Sequence, residues 1–89
     1  TLLDDVYYLK AKIYVYLLQY NEAVESLQNA IAQDDLLVDE SLMFLAEIYS
    51  NYLNQNDKAL ECYERVLTDF EDSVFANEAR TKYRLIRGK

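Results

Sequence analysis

Two amphipathic segments joined by a polar turn make up residues 42–67, LMFLAEIYSNYLNQNDKALECYERVL. Within each segment the apolar residues recur at steps of three and four, which is the spacing of one face of an α-helix. The turn between them contains Asn54, Gln55 and Asn56. Because helices joined by so short a turn pack antiparallel to each other, this stretch predicts a helix pair.

The same helix pair occurs once more, nearer the N-terminus. In its first helix, Tyr7–Ala11–Tyr14 returns 35 residues later as Leu42–Ala46–Tyr49. In its second helix the shift is 36 residues, from Ala23, Leu27, Ala30 and Ile31 to Ala59, Tyr63, Val66 and Leu67. Alanine recurs where two helices cross closely, because a larger side chain would hold their axes apart. The pattern indicates two helical repeats, with one residue inserted within 51–56 of the second copy.

Five helices account for the whole apolar pattern, over about residues 2–18, 21–33, 38–53, 56–67 and 73–88. Asn21, Asn56 or Asp57, and Ser73 are the expected N-caps, and Gly88 is the expected stop signal. The chain has no proline and only that one glycine, which favours long helices over a sheet with many turns.

The predicted fold is therefore all-α, a right-handed superhelix of antiparallel helix pairs in a single domain spanning residues 1–89. Repeat 1 covers residues 1–34, repeat 2 covers residues 37–70, and a C-terminal capping helix covers residues 73–88. No comparable polar cap precedes the first helix. We therefore expect the chain to be a segment of a longer protein with further repeats upstream, or to self-associate through its uncapped N-terminal helix.

These two copies resemble the tetratricopeptide repeat family, whose signature alternates large and small residues at set spacings. The first copy supplies Tyr7, Ala11, Tyr14, Tyr20, Ala23, Leu27 and Ala30, and the second supplies Leu42, Ala46, Tyr49, Ala59, Tyr63 and Val66. Lys10 departs from the pattern where leucine is usual, and Asp35 and Glu71 replace the helix-ending prolines. The resemblance implies a scaffold that binds proteins or peptides in an inner groove.

The C-terminal stretch 69–88, DFEDSVFANEARTKYRLIRG, is similar to bacterial envelope members of that family. It resembles the periplasmic Tol-Pal-associated repeat proteins and the BamD-like outer-membrane lipoproteins, and its Arg–Gly ending is similar to repeat proteins of Bacteroidetes. This resemblance implies a bacterial periplasmic or envelope location, with the cytoplasm as the alternative.

Composition excludes several classes of function. Residues 1–79 carry sixteen acidic and four basic side chains, whereas residues 80–89 carry five basic and no acidic ones. So acidic a body argues against nucleic acid, whose binding needs neutralised phosphates. The chain has no histidine and a single cysteine, Cys62, so we expect no enzyme activity, no metal site and no cofactor. No apolar run is long enough for membrane insertion.

Partner binding is expected on the first helix of each pair, at positions turned away from the packing seam. These positions are Tyr8, Lys12, Tyr16, Met43, Glu47, Asn51, Arg80 and Arg84. The alternative is that Tyr8 and Met43 are buried between neighbouring repeats, and that the basic residues of the last helix offset its dipole. The predicted function is a non-catalytic scaffold for a protein or peptide partner, and the alternative is a structural spacer in a longer solenoid or an envelope assembly.

Overall fold

The computed structural model describes residues 2–33 and 38–88, with side chains described from Val6 onward. Five helices follow one another: α1 Leu2–Tyr16, α2 Tyr20–Ala32, α3 Val38–Asn51, α4 Asn56–Asp69 and α5 Ala76–Arg87. The described residues contain no strand. The all-α prediction is therefore confirmed.

Each helix packs mainly on its neighbours in sequence. The closest pairs are α1 with α2 and α3 with α4, and these pairs are joined by contacts of α2 with α3 and of α4 with α5. The alanines predicted at the crossings, Ala11, Ala23, Ala46 and Ala59, are all 0% exposed. Their small side chains let the helix axes approach, and the larger Leu27 and Tyr63 fill the space one turn away.

The two turns inside the pairs are built on the same plan. Leu18 has a φ of 62° and Asn54 has a φ of 54°, and these residues lie 36 positions apart. After each of them a backbone N–H reaches back to the end of the preceding helix: Gln19 donates to Tyr14 at 2.7 Å and Gln55 donates to Tyr49 at 2.8 Å. The second turn spans one more residue than the first. The insertion therefore lies where the sequence comparison placed it.

The predicted N-caps are wrong. Gln19 precedes α2 and Gln55 precedes α4, and neither side chain makes a capping hydrogen bond. Their carbonyl groups accept the first intrahelical hydrogen bonds, from Ala23 and Ala59 at 3.1 Å. Each helix begins directly after its glutamine because the left-handed residue just before that glutamine has already reversed the chain.

Ser73 has a different role from the predicted cap of α5, which begins three residues later. Its Oγ donates to Oδ2 of Asp39 at 2.6 Å and accepts the N–H of Phe75 at 3.0 Å. Since Asp39 lies in the first turn of α3, this hydrogen bond ties the loop after α4 to the start of the second repeat. Hydrogen bonds to a charged group are among the stronger ones in proteins.

Candidate functional site

An aromatic contact joins the first helices of the two repeats. The rings of Tyr8 in α1 and Phe44 in α3 lie 5.4 Å apart at an angle of 54°. The ammonium group of Lys12 lies 5.1 Å from the centre of the Tyr8 ring, close enough for a cation–π interaction. Tyr8 and Phe44 are half-buried, and Lys12 is exposed. This arrangement leaves part of both rings open beside a cation.

Two carboxylates of α3 act on the hydroxyl group of Tyr8. Burial, the charge of Glu40, a hydrogen bond to Glu40 and the charge of Glu47 raise the pKa of Tyr8 to about 12. The hydroxyl therefore stays protonated at neutral pH and remains a donor. Glu47 also affects α4, because burial and then the charges of Glu47 and Glu78 raise the pKa of Tyr63. We call Tyr8, Lys12, Glu40, Phe44 and Glu47 the Tyr8 cluster.

The structure brings only some of the eight predicted positions together. Tyr8, Lys12 and Glu47 meet in the Tyr8 cluster. Tyr16, which is 85% exposed, and Asn51 lie on the surface at the ends of α1 and α3. Met43 is only 6% exposed and belongs to the core, so it offers no surface to a partner. For Met43 the alternative, burial, is therefore the correct one, and Phe44, the next residue, makes the contact with Tyr8.

Arg80 and Arg84 lie in a separate shallow depression on α5. The depression has a volume of about 350 Å³ and is lined by Arg80, Tyr83, Arg84, Arg87 and Gly88. Arg80 donates to Oδ1 of Asn77 at 2.9 Å, and the guanidinium of Arg87 lies 5.9 Å from the centre of the Tyr83 ring. These contacts give the described part of α5 a cationic surface at one end of the molecule.

A larger cavity between α2, α3 and α4 was missed in the sequence. Its volume is about 390 Å³, and its lining includes Gln28, Tyr49, Lys58, Cys62 and Arg65. The amide of Gln28 donates to the hydroxyl of Tyr49 at 3.3 Å across the cavity, and the amine of Lys58 lies 5.7 Å from the centre of the Tyr49 ring. The lining residues come from three helices, and no short motif links them.

The arrangement gives no support to nucleophilic catalysis. Cys62 is buried, and burial followed by the charge of Glu61 raises the pKa of its thiol to about 11. A thiol that stays protonated at neutral pH is a poor nucleophile and a poor metal ligand. Within residues 2–33 and 38–88 no group of three or more Cys, Asp and Glu side chains is placed to hold a metal ion. None of the described helices is long and apolar enough to span a membrane.

The sequential packing of antiparallel helix pairs defines a helical-repeat protein. Residues 4–35 and residues 41–69 each match a family model described as tetratricopeptide repeat, and together the matches span about two thirds of the chain. The chain belongs to the tetratricopeptide repeat family. Proteins of this family generally mediate protein–protein interactions and are typically non-catalytic scaffolds.

Comparison with curated proteins and with solved structures gives no significant match. The family matches do not extend to a relationship with the Tol-Pal-associated or BamD-like envelope proteins.

Proposed function

We propose that this chain is a non-catalytic protein-interaction module that binds a peptide or protein segment along the concave face of α1, α3 and α5. The Tyr8 cluster is the centre of the proposed surface, with Tyr16 and Asn51 beside it and the cationic depression of α5 at one end. Met43 is left out because it is buried. The proposal does not depend on an envelope location.

The single observation that carries this proposal is the contact of Tyr8 with Phe44 and Lys12. Half-buried tyrosines are effective anchors for partners, since they offer a large rigid apolar area together with a polar group. Here the ring is held between two repeats, so little conformational entropy is lost when a partner binds. The hydroxyl donor and the exposed ammonium group then provide directional contacts at the edge of an apolar surface.

The test uses a displayed peptide library selected on the wild-type chain. We expect the double variant Tyr8→Ala with Arg80→Glu to lose at least about tenfold in affinity for the selected peptides, as is typical when an interface anchor is removed. The outer-face variant Glu64→Lys serves as the matched control and should bind like wild type. Lys12→Glu, which leaves the ring contact in place, should also weaken binding.

Circular dichroism must show the same helicity in all variants, because Tyr8 also packs on Phe44. The proposal would be contradicted if the selected peptides bound the double variant and the Lys12→Glu variant as tightly as they bind wild type. The proposal would also be contradicted if the selected peptides bound only at the cavity between α2, α3 and α4.

A second candidate function is a structural segment within a longer helical array. The apolar side chains exposed on α1 and directly after it favour it, among them Val6, Ile13 and Leu17. If this second function is the correct one, Tyr8→Ala leaves partner binding by the intact protein unchanged, whereas Ile13→Asp lowers the thermal stability of the intact protein. If the interaction module is correct, Tyr8→Ala weakens partner binding by the intact protein, whereas Ile13→Asp leaves its thermal stability unchanged.

A further inference from the structure

The cavity between α2, α3 and α4 is a second candidate binding site, and we call it the Tyr49 cavity. Its volume is about 390 Å³, which lies within the range of sites that bind small molecules. Ile31, Leu42 and Leu45 provide its apolar wall. Polar groups of Gln28, Tyr49 and α4 complete the lining.

The Tyr49 cavity lies on the other side of α3 from the Tyr8 cluster. Leu42, Leu45 and Tyr49 follow one another at steps of three and four residues and share one face of the helix, whereas Phe44 and Glu47 belong to the opposite face. A further repeat would pack on α1 or α5, at the ends of the helix series, and would leave this cavity open. The inference below does not rest on the proposed function.

The cavity collects the positive charge of an otherwise acidic repeat. Residues 37–70 carry seven acidic side chains and two basic ones, Lys58 and Arg65. Both basic residues line the cavity, whereas Glu61 is the only one of the seven acidic residues, all of which the structure describes, that does. Two positive charges and one negative charge give the lining a net charge of +1, in a chain whose net charge is −7.

Lys58 stands where the helix itself favours an acidic residue. It is the third residue of α4, near the positive end of the helix dipole. The equivalent residue of repeat 1, 36 positions earlier, is Glu22, and the equivalent of Arg65 is Asn29. The repeat fold therefore does not require these two cations. A residue that departs from a local rule in this way is expected to serve a function.

The polar groups of the cavity lie close to one another. The amine of Lys58 is 5.7 Å from the centre of the Tyr49 ring, and the amide of Gln28 donates to the Tyr49 hydroxyl at 3.3 Å. Tyr49 is only 6% exposed, and burial raises its pKa, so its hydroxyl stays protonated at neutral pH. Among the described residues this hydroxyl donates to no acceptor, and no carboxylate forms an ion pair with Lys58.

We propose that the Tyr49 cavity binds a small organic carboxylate with an apolar body. Lys58 supplies the opposite charge, and the hydroxyl of Tyr49 donates a hydrogen bond to a carboxylate oxygen. The apolar body of the ligand lies against the isoleucine and the two leucines of the wall. Hydrogen bonds to a charged acceptor are among the stronger ones, and the buried ring holds its donor in a fixed position.

The charges favour a carboxylate over a phosphate. Nε of Arg65 lies 3.4 Å from Oδ2 of Asp69, so Arg65 is partly neutralised and Lys58 is the main cation for a ligand. One cation balances a singly charged group, whereas a phosphate dianion would leave a negative charge unbalanced beside Glu61. A peptide helix or strand is a poorer occupant, because it needs an extended groove or a sheet edge.

The probes are hydrocinnamate, the neutral hydrocinnamide of the same size, and phenyl phosphate, which is mostly dianionic at neutral pH. Each is titrated into the isotope-labelled chain while the backbone amide shifts are followed by NMR. We expect shifts concentrated on residues 28–31, 42–49 and 58–65, with dissociation constants in the millimolar range for such small ligands. Hydrocinnamate should bind about fivefold more tightly than hydrocinnamide, the gain expected from one partly exposed ion pair.

Lys58→Glu places the residue type of repeat 1 in the cavity. Because Lys58 is exposed and glutamate suits the first turn of α4, urea denaturation should show this variant to be at least as stable as wild type. It should nevertheless abolish the preference for hydrocinnamate over hydrocinnamide. The matched control Lys10→Glu makes the same change of charge at an exposed position of α1 and should keep the full preference.

Tyr49→Phe keeps the ring and removes the hydroxyl. It should weaken the binding of hydrocinnamate about threefold, as expected for the loss of one hydrogen bond. Circular dichroism verifies that this variant keeps its helicity.

Four results would overturn the proposal: no shifts around the cavity, equal binding of hydrocinnamate and hydrocinnamide, a preference that survives Lys58→Glu, or tighter binding of phenyl phosphate than of hydrocinnamate. The capped tripeptide acetyl-Leu-Glu-Leu-amide supplies the remaining arm. If it bound at the cavity more tightly than hydrocinnamate, the cavity would take an acidic side chain of a protein, and a small-molecule ligand would be refuted.

Discussion

Helices α1 and α3 hold the same place in successive repeats, yet their surroundings differ. α3 is packed between α2 and α4, and eight of its fourteen residues are buried. α1 packs mainly on α2, and Ala11 is its only buried residue among those whose side chains are described. In a helical-repeat protein the burial of a side chain therefore depends on the neighbouring repeat as much as on its own. Equivalent residues of the two helices can be compared directly.

The largest difference should appear at Ile48 and its counterpart Ile13. Ile48 is 0% exposed, so Ile48→Ala leaves a cavity and should lower the free energy of unfolding by about 3 kcal/mol. Ile13 is 57% exposed, and Ile13→Ala should change it by less than about 0.5 kcal/mol, because the higher helix propensity of alanine offsets the small loss of burial. Urea denaturation of both variants measures the two values. Equal losses would mean that α1 is covered in solution.

A second difference concerns alkaline pH, because Cys62 of repeat 2 corresponds to Ser26 of repeat 1. The pKa of Cys62 is raised from an ordinary value of 9.0 to about 11, so the thiol stays protonated in the folded state after it has ionised in the unfolded one. The stability due to the protonated thiol is complete below pH 9 and is lost as pH rises to about 11. The expected loss is about 2 kcal/mol.

Denaturation at pH 7 and at pH 11 should therefore show a smaller alkaline loss for Cys62→Ala than for wild type. Burial also raises the pKa of Tyr49 and of Tyr63, so part of the loss remains in that variant. The control Ser26→Ala removes a side chain that does not titrate and should leave the wild-type pH dependence intact. If Cys62→Ala lost as much stability between pH 7 and pH 11 as wild type, the thiol would not contribute to the alkaline loss.

The smallest difference is in the turns, where Leu18 and Asn54 both adopt left-handed backbone conformations. This conformation is strained for leucine and tolerated by asparagine. Leu18 is 71% exposed, so Leu18→Asn loses little burial and should raise the free energy of unfolding by about 1 kcal/mol. The reciprocal change Asn54→Leu should lower it by a similar amount. Thermal unfolding of both variants tests whether the two turns are equivalent. If both substitutions raised the free energy of unfolding, or both lowered it, the two turns would not be equivalent.

The fold could be predicted from the sequence because periodicity and repetition act over long stretches. Ala11 and Ala46 mark the crossings, and the 35- and 36-residue shifts locate the insertion. Helix starts were predicted less well, since a cap was inferred from residue type. The chain reversals at Leu18 and Asn54 fix where α2 and α4 begin. Asn54 is a usual residue for a left-handed turn, whereas Leu18 leaves little local signal, because leucine is an unusual one.

The candidate site could be predicted only in part. Tyr8, Lys12 and Glu47 were found because they share a helix face with a fixed repeat spacing. Met43 was expected on that face by the same spacing, but it is buried in the core, and Phe44 is the residue of α3 that contacts Tyr8. The cavity beside Gln28 and Tyr49 depends on the distances between three helices, and helix periodicity alone does not give those distances.

Most contacts between helices in this molecule join sequence neighbours, so the helices form a linear series. Loss of order at one end then costs only one set of contacts, so α1 is expected to open on its own more often than α3, which has packed neighbours on both sides. Amide hydrogen exchange should be fastest in α1 and slowest in α3. A molecule that binds to α1 would stabilise this helix against opening. It would therefore slow amide hydrogen exchange throughout the first repeat, although it contacts few of the residues there.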